Sequence, residues 1–89
     1  MDIDFDPVKD RINQEKHGIG FDRVEDFDFD TAVFEVDPRH YTETRYRAIG
    51  WIGDRLYMLV YTIRSGRIRV ISLRKANKRE VRKNEEKRS

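Results

Sequence analysis

Residues 43–73 read ETRYRAIGWIGDRLYMLVYTIRSGRIRVISL, and most of the predicted sheet lies in this stretch. Its segments 43–52, 55–64 and 67–73 are rich in β-branched and aromatic residues, which favour strands. The two-residue loops Gly53-Asp54 and Ser65-Gly66 separate them and set the registers of two antiparallel hairpins. The predicted cross-strand pairs are Arg45–Thr62, Arg47–Val60, Ile49–Met58, Trp51–Leu56, Arg64–Arg67, Thr62–Arg69, Val60–Ile71 and Met58–Leu73.

One face of the predicted sheet collects arginines at one end. Side chains alternate between the two faces of a strand, so all of the residues paired above share a face. Its apolar half is formed by Trp51, Ile49, Leu56, Met58, Ile71 and Leu73, and its polar end by Arg45, Arg47, Arg64, Arg67, Arg69 and Thr62. A guanidinium stays charged and matches phosphate geometry, so this end is predicted to bind a polyanion such as a nucleic acid backbone. The opposite face is predicted to hold the N-terminal helices.

The rest of the chain predicts helices and one more strand. Asp6-Pro7 is a helix start and Gly18 a stop, so residues 7–17 form a helix whose narrow apolar face is Val8 and Ile12. A second short helix is predicted over 21–27 and a strand over TAVFEV, residues 31–36. A C-terminal helix over 77–87 begins with a capping-box pattern. The predicted fold class is α+β: two N-terminal helices on an antiparallel sheet of three to four strands, with a C-terminal helix, all in one domain over 1–89.

Charge is divided unevenly along the chain. Residues 1–43 hold thirteen acidic and five basic side chains, a net of −8, whereas residues 44–89 hold four and fourteen, a net of +10. This segregation favours a polyanion-binding half over scattered surface charge, although some arginines are expected to pair with the N-terminal carboxylates. The absence of cysteine and of any apolar run of membrane-spanning length leads us to expect a cytoplasmic protein without membrane contact.

The acidic segments DIDFD and EDFDFD raise the question of a metal site. An EF-hand loop needs glycine at its sixth position, where these segments have Pro7 and Thr31. His17 and His40, without cysteine, do not make a zinc set. The sequence therefore predicts no metal site and no cofactor.

Four blocks of the sequence then resemble one family. They are FDPVK, NQEKHGIGFD at 13–22, ETRYRAIG at 43–50 and GRIRVISLRKANKRE at 66–80. In this order and spacing the chain resembles the BrnT-type toxins of bacterial type II toxin-antitoxin systems. The resemblance implies a RelE-like ribonuclease that cuts RNA at the sheet face away from the N-terminal helices. It also implies a BrnA-type antitoxin that neutralises the toxin, forms a 2:2 heterotetramer with it and alone contacts operator DNA.

Two positions depart from the family pattern. Gly20 stands where the family commonly has serine, which removes a side chain that could cap a helix. Asn84 stands where the family usually has tyrosine in its last helix. If that tyrosine stacks on RNA or takes part in catalysis, its absence would weaken activity.

The implied chemistry is metal-independent and uses the 2′-hydroxyl of the RNA as nucleophile. We expect Arg45, Arg64 and Arg69 to stabilise charge on the phosphate, with a base chosen from Lys75, Glu80 and His17. Arg74 is predicted on the opposite face, so its place in the family block indicates either a contact at the rim or a bulge in the strand. The predicted catalytic residues are Arg45, Arg64, Arg69, Lys75 and Glu80, and the predicted RNA-binding residues are Arg47, Arg67, Thr62, Arg74 and His17.

Two alternatives share the same surface. The basic patch could bind RNA or DNA without cutting it, or the protein could be an inactive toxin that serves only to dock an antitoxin. Catalysis requires that loss of one arginine abolish cleavage while much of the affinity survives. Binding alone requires a graded loss with each charge removed.

Overall fold

The computed structural model describes residues 2–39 and 42–88 and shows an α+β fold. It does not contain the purely antiparallel sheet of three to four strands that the sequence predicts. The sheet is five-stranded and mixed. The elements in chain order are β1 (Ile3–Asp4), α1 (Pro7–His17), a 3₁₀ helix (Phe21–Asp26), β2 (Val33–Val36), β3 (Tyr46–Ile52), β4 (Arg55–Arg64), β5 (Arg67–Lys75) and α2 (Lys78–Arg88).

The strands lie in the order β1-β5-β4-β3-β2. Strands β2 to β5 are antiparallel to their neighbours, whereas β1 runs parallel to β5 and pairs Ile3 with Ile68 and Asp4 with Arg69. A two-residue strand is too short to show a periodic pattern, so the sequence analysis did not include it. Because β1 pairs with β5, the N-terminal segment reaches the arginine-rich end of β5.

The registers next to the two tight turns are as predicted. Arg47 lies opposite Val60 in the first hairpin and Thr62 opposite Arg69 in the second. Further along, the second hairpin departs from the prediction: Tyr61 pairs with Val70 but Val60 pairs with Ser72, so the register shifts by one residue. The predicted pairs Val60–Ile71 and Met58–Leu73 are therefore wrong, because β5 contains a bulge at Ile71.

The bulge exchanges the faces of every β5 residue that follows it. Leu73 lies opposite Leu59 in the core under the N-terminal helices and is fully buried. Arg74 lies opposite Met58 and so belongs to the face that carries the arginines. The predicted placement of Arg74 on the helix-covered face is wrong, and of the two explanations considered for it, the bulge is the one found.

The main core lies between the sheet and the 3₁₀ helix. Phe21, Val24 and Phe27 are buried there, as predicted for the second helix, although the helix is of the 3₁₀ type. Gly50 allows the close approach, since a Cβ on it would lie 2.6 Å from the Phe27 ring. Gly20 has no capping side chain, and the carboxylate of Asp10 instead accepts the Phe21 N–H at 2.8 Å.

Helix α1 is attached by a polar contact and not by its predicted apolar face. Val8 and Ile12, the predicted narrow apolar face of the helix, are 58% and 45% exposed, so this face does not pack into the core. The buried residue of α1 is Asn13, which accepts the Leu73 N–H at 3.1 Å and donates to the Leu73 carbonyl at 2.8 Å. Asn13 thus takes the place of a partner strand on the edge of β5 beyond β1.

Helix α2 covers the apolar half of the arginine-bearing face. Beneath it lie Ile49 and Met58, which are buried. Its start is a capping box, because the Asn77 side chain accepts the Glu80 N–H and the Glu80 side chain accepts the Asn77 N–H. Further along, Asn84 is 1% exposed and donates to the Ile49 carbonyl at 2.9 Å.

Candidate functional site: an arginine-lined cavity

A cavity of about 170 Å³ lies at the arginine-rich end of the sheet. Arg45 borders it from the segment before β3, Arg64 from the end of β4 and Arg69 from β5. Lys9, on α1, lines the same cavity, as does Glu43. The structure therefore brings together the three arginines expected to stabilise phosphate charge and adds two groups that the sequence analysis did not select.

Arg64 and Glu43 form a fork-shaped ion pair at the edge of this cavity. The Arg64 Nη2 lies 2.6 Å from Glu43 Oε1, and the Arg64 Nε donates to the same carboxylate at 3.0 Å. The Arg64 hydrogen bond holds the pKa of Glu43 below its usual value, despite partial desolvation. Glu43 is therefore ionised, and it is a weaker base for as long as Arg64 is bound to it.

Arg69 is paired with a carboxylate from β1. Its Nη1 lies 2.7 Å from Asp4 Oδ2, across the parallel pair that the two residues form in the sheet. The hydrogen bond from Arg69 lowers the pKa of Asp4 below its usual value. Pairing of arginines with N-terminal carboxylates, considered above as an alternative to anion binding, thus occurs for Arg64 and Arg69. Both pairs are partly exposed, so solvent and incoming anions can reach them.

The predicted RNA-binding residues of the sheet have different surroundings. Thr62 lines the cavity, but its hydroxyl donates to the Thr44 carbonyl at 2.7 Å and so ties β4 to the segment before β3. Arg67 lies opposite Arg64 and is exposed. Arg47 lies 3.8 Å from Glu35, which also binds Lys83 of α2, and Arg47 is not among the described residues that line the cavity.

Three predicted site residues lie at the far end of the sheet. Arg74 makes two hydrogen bonds to Glu80, at 2.8 and 3.0 Å, and this pair fastens α2 to β5. Burial raises the pKa of Glu80, but the hydrogen bonds from Arg74 and the Asn77 N–H outweigh it and leave the pKa below its usual value. Lys75 lies opposite Tyr57, on the helix-covered face, and six residues of strand separate it from Arg69, or about 20 Å. The expectation that Lys75 and Glu80 join the arginine cluster is wrong, since the bulge and α2 place them elsewhere.

His17 lies at the C-terminal end of α1, beside a second cavity of about 150 Å³ that Lys9, Ile71 and Ser72 also line. The other histidine, His40, lies outside the described residues. Within residues 2–39 and 42–88, no three His, Cys, Asp or Glu side chains come close enough to hold a metal ion together.

This geometry agrees with a match to a known family. A family model described as the ribonuclease toxin, BrnT, of type II toxin-antitoxin systems matches residues 5–80. The chain belongs to the BrnT family. No individual curated protein gives a significant match.

The BrnT match has consequences for the predicted site. It spans β3, β4 and β5 and ends at Glu80, so Asn84 lies beyond it. Because Asn84 is buried against the backbone of β3, it supports α2 and does not face the cavity. Membership in a type II toxin family implies an antitoxin partner and ribonuclease activity. Within the described part of the chain, no helix has the length and apolar character needed to span a membrane.

The sequence analysis missed Lys9, Glu43 and Asp4 as members of the site. Asp4 and Lys9 precede the strands on which the arginines were counted, and Glu43 lies in the segment before β3. A signal was present for Glu43, because it begins the ETRYRAIG block that carries the resemblance. Lys9 had the same signal, because it ends the FDPVK block, whereas Asp4 lies outside the four blocks and gave none. Only the docking of α1 and β1 on β5 brings Lys9 to the cavity and Asp4 to Arg69.

Proposed function

We propose that this chain is a metal-independent endoribonuclease that cuts RNA in the arginine-lined cavity and so inhibits translation. The observation that carries the proposal is the convergence of Arg45, Arg64, Arg69 and Lys9 on one cavity in a chain of the BrnT family. Arg64 and Arg69 are paired with Glu43 and Asp4, but these pairs are partly exposed, so an incoming anion can replace the carboxylates. A phosphodiester is the anion that a ribonuclease site must hold.

The reaction needs only groups of the RNA and of the protein. The 2′-oxygen attacks the adjacent phosphorus and forms a new P–O bond, the P–O5′ bond breaks, and the products carry a 2′,3′-cyclic phosphate and a 5′-hydroxyl. Charge builds up on the non-bridging oxygens during this step. The guanidinium groups of Arg45, Arg64 and Arg69 stabilise that charge by hydrogen bonds that are already oriented.

Glu43 and Lys9 are the proton-transfer groups that we propose. Glu43 is ionised and lies at the cavity edge, so it can accept the 2′-hydroxyl proton. Lys9 lines the cavity from α1, and its ammonium is the group that we propose gives a proton to the departing 5′-oxygen. They replace Lys75 and Glu80, which lie at the far end of the sheet; His17 borders the neighbouring cavity.

RNA must displace two carboxylates to occupy the site. In the structure Arg64 binds Glu43 and Arg69 binds Asp4. Exposed ion pairs contribute little to stability, so a doubly contacted phosphate can replace them at little cost. Displacement from Arg64 also leaves the Glu43 carboxylate beside the bound RNA, where the base is required.

The test is cleavage of a defined RNA in the presence of EDTA by the wild type, Arg69→Ala and Arg55→Ala. Arg55 is an exposed arginine at the opposite end of β4 and serves as the matched control. We expect the wild type and Arg55→Ala to cut RNA, and neither to cut an RNA with 2′-deoxyribose at the scissile position. Arg69→Ala should lose most activity. An RNA that is bound in a salt-dependent way but not cut would instead indicate a binding module.

We further propose that residues 1–89 form a single RelE-like toxin domain that acts in the cytoplasm and is neutralised by a BrnA-type antitoxin. Family membership supports an antitoxin, and a 2:2 heterotetramer that contacts operator DNA only through the antitoxin is the assembly we expect. Native mass spectrometry of the co-expressed proteins tests this assembly. A toxin that stays monomeric in the presence of its antitoxin would contradict it.

A further inference from the structure

We propose that the groove between α1 and β5 is a second nucleotide subsite, which binds the nucleotide next to the one whose phosphate is cut. The proposal rests on the proposed function, because it takes the arginine-lined cavity to be the phosphate site. It adds the length of RNA that the protein recognises and names residues outside the arginine cluster.

The two cavities are neighbours. The arginine-lined cavity, about 170 Å³, and the groove cavity, about 150 Å³, are both lined by Lys9 and Ile71. A strand of RNA that leaves the first cavity past these two residues enters the second. Lys9 at the junction can contact the backbone of such a strand.

The spacing of side chains on α1 directs one face of the helix into the groove. Lys9, Ile12 and Lys16 occur at intervals of three and four residues, and all three line the groove cavity. Lys9 and Lys16 are seven residues apart, or about 10 Å along the helix. Asn13, on the same face, is hydrogen-bonded to Leu73 and holds the helix at a fixed distance from β5. The groove is therefore a preformed feature.

The bulge in β5 forms the other wall. Ile71 is the extra residue between the pairs Tyr61–Val70 and Val60–Ser72, and its side chain lines both cavities. Ser72 follows and also lines the groove cavity. Bulges frequently occur beside functional sites, where they redirect side chains.

The chemistry of the groove fits a nucleotide. Ile12 is 45% exposed and lies with Ile71 at the groove, which offers apolar contact to the face of a base. Lys16 and His17 lie beside them and can contact a phosphate or a sugar hydroxyl. A ligand that has both an apolar ring and negative charge matches this combination, and the ring contact requires no particular base.

The experiment measures binding of fluorescein-labelled 2′-O-methyl RNAs of two and six nucleotides by fluorescence anisotropy with EDTA. The 2′-O-methyl group removes the nucleophile, so binding is measured without cleavage. The variants are Ile12→Ala and Lys16→Ala. Their matched controls are Val8→Ala and Arg11→Ala, since neither Val8 nor Arg11 is among the described residues that line the two cavities. Val8 is as exposed and apolar as Ile12, and all four residues lie on α1.

We expect the six-nucleotide RNA to bind the wild type at least tenfold more tightly than the two-nucleotide RNA. Ile12→Ala should weaken binding of the longer RNA about tenfold. Lys16→Ala should reduce the slope of log Kd against log salt by about 0.7, the value for one phosphate contact on a single strand. The controls should bind as the wild type does.

Two results would overturn the subsite: equal effects of Ile12→Ala and Val8→Ala, or equal affinity for the two RNA lengths. Failure of the proposed function is a separate result. If the wild type cuts no RNA but the length and Ile12 effects are found, the groove binds a nucleotide of an RNA that is held and not cut, and the catalytic proposal falls. If RNA is cut and the four α1 variants behave alike, the catalytic proposal stands and the subsite falls.

Discussion

The two ends of one sheet face both pair arginine with carboxylate, but the pairs are built differently. At the cavity end the Arg64 and Glu43 side chains are 54% and 39% exposed. At the α2 end the Arg74 and Glu80 side chains are 35% and 12% exposed, and the same glutamate closes the capping box of the helix. A pair that solvent and anions can reach is exchangeable, whereas a pair held under a helix is part of the fold. Position on the sheet, and not arginine content, therefore separates the candidate site from the scaffold.

Among the variants that test this difference between the two ends of the sheet face, we expect the largest effect for Glu43→Gln. Loss of the general base should reduce the cleavage rate by about 10²-fold or more. RNA affinity should rise in the same variant, because Arg64 no longer has an ionised partner at that position. Cleavage rates and anisotropy titrations measure the two effects. Glu35→Gln is the matched control, since Glu35 binds Arg47 and Lys83 on the same face. A fall in affinity for Glu43→Gln would show that Glu43 does not compete with RNA.

At the α2 end of the sheet face we expect a smaller effect, which is on stability and not on cleavage. Glu80→Ala removes both hydrogen bonds to Arg74 and one half of the capping box, so it should destabilise the protein by about 2 kcal/mol. For a domain of this size that corresponds to a Tm lower by roughly 10 °C. Glu85→Ala, an exposed position on the same helix, should change the Tm little. Thermal unfolding followed by circular dichroism measures both. If the Glu80→Ala protein is folded but does not cut RNA, the α2 end is not only part of the scaffold, and the distinction between the two ends is wrong.

The smallest effect that we expect is on the stability of the protein at low pH, and it comes from Asp37, near the cavity end. Asp37, whose backbone N–H donates to the Arg45 carbonyl, binds Arg39, and the hydrogen bonds from Arg39 lower its pKa from 3.8 to about 2. A lowered folded-state pKa adds stability above the unfolded-state value and loses it as pH falls toward the folded-state value. The stability of the wild type should therefore fall between about pH 4 and pH 2 more steeply than that of Asp37→Asn. Urea unfolding across this range measures the difference, and parallel curves for the two proteins would contradict the assignment.

The sequence predicts strand pairing correctly close to the two tight turns and less well farther from them. Two-residue loops set the register near them, so the pairs Arg64–Arg67 and Thr62–Arg69 were predicted correctly. Beyond these pairs, the bulge at Ile71 places each later residue of β5 on the sheet face opposite to the predicted one. A signal for it exists, because the core residues Ile68, Val70 and Leu73 are spaced by two and then three positions, which breaks strict alternation.

Contacts between distant segments gave no comparable signal. Asn13 serves as a strand partner only because β1 ends before Leu73 and leaves that edge of β5 open. The exposure of Val8 and Ile12 follows from the same arrangement. Lys9 and Asp4 enter the cavity region through α1 and β1, so their roles depend on tertiary packing and not on local pattern.

The most direct measurement is a crossed comparison of Arg69→Ala and Arg74→Ala, each assayed for RNA cleavage with EDTA and for Tm. Arg69→Ala should lose about 10²- to 10³-fold in cleavage and change the Tm by only a few degrees, because its pair with Asp4 is partly exposed. Arg74→Ala should lower the Tm by roughly 10 °C and, assayed while folded, cut RNA as the wild type does. Undiminished cleavage by Arg69→Ala, or an equal loss of cleavage in both variants, would contradict a catalytic site centred on the cavity.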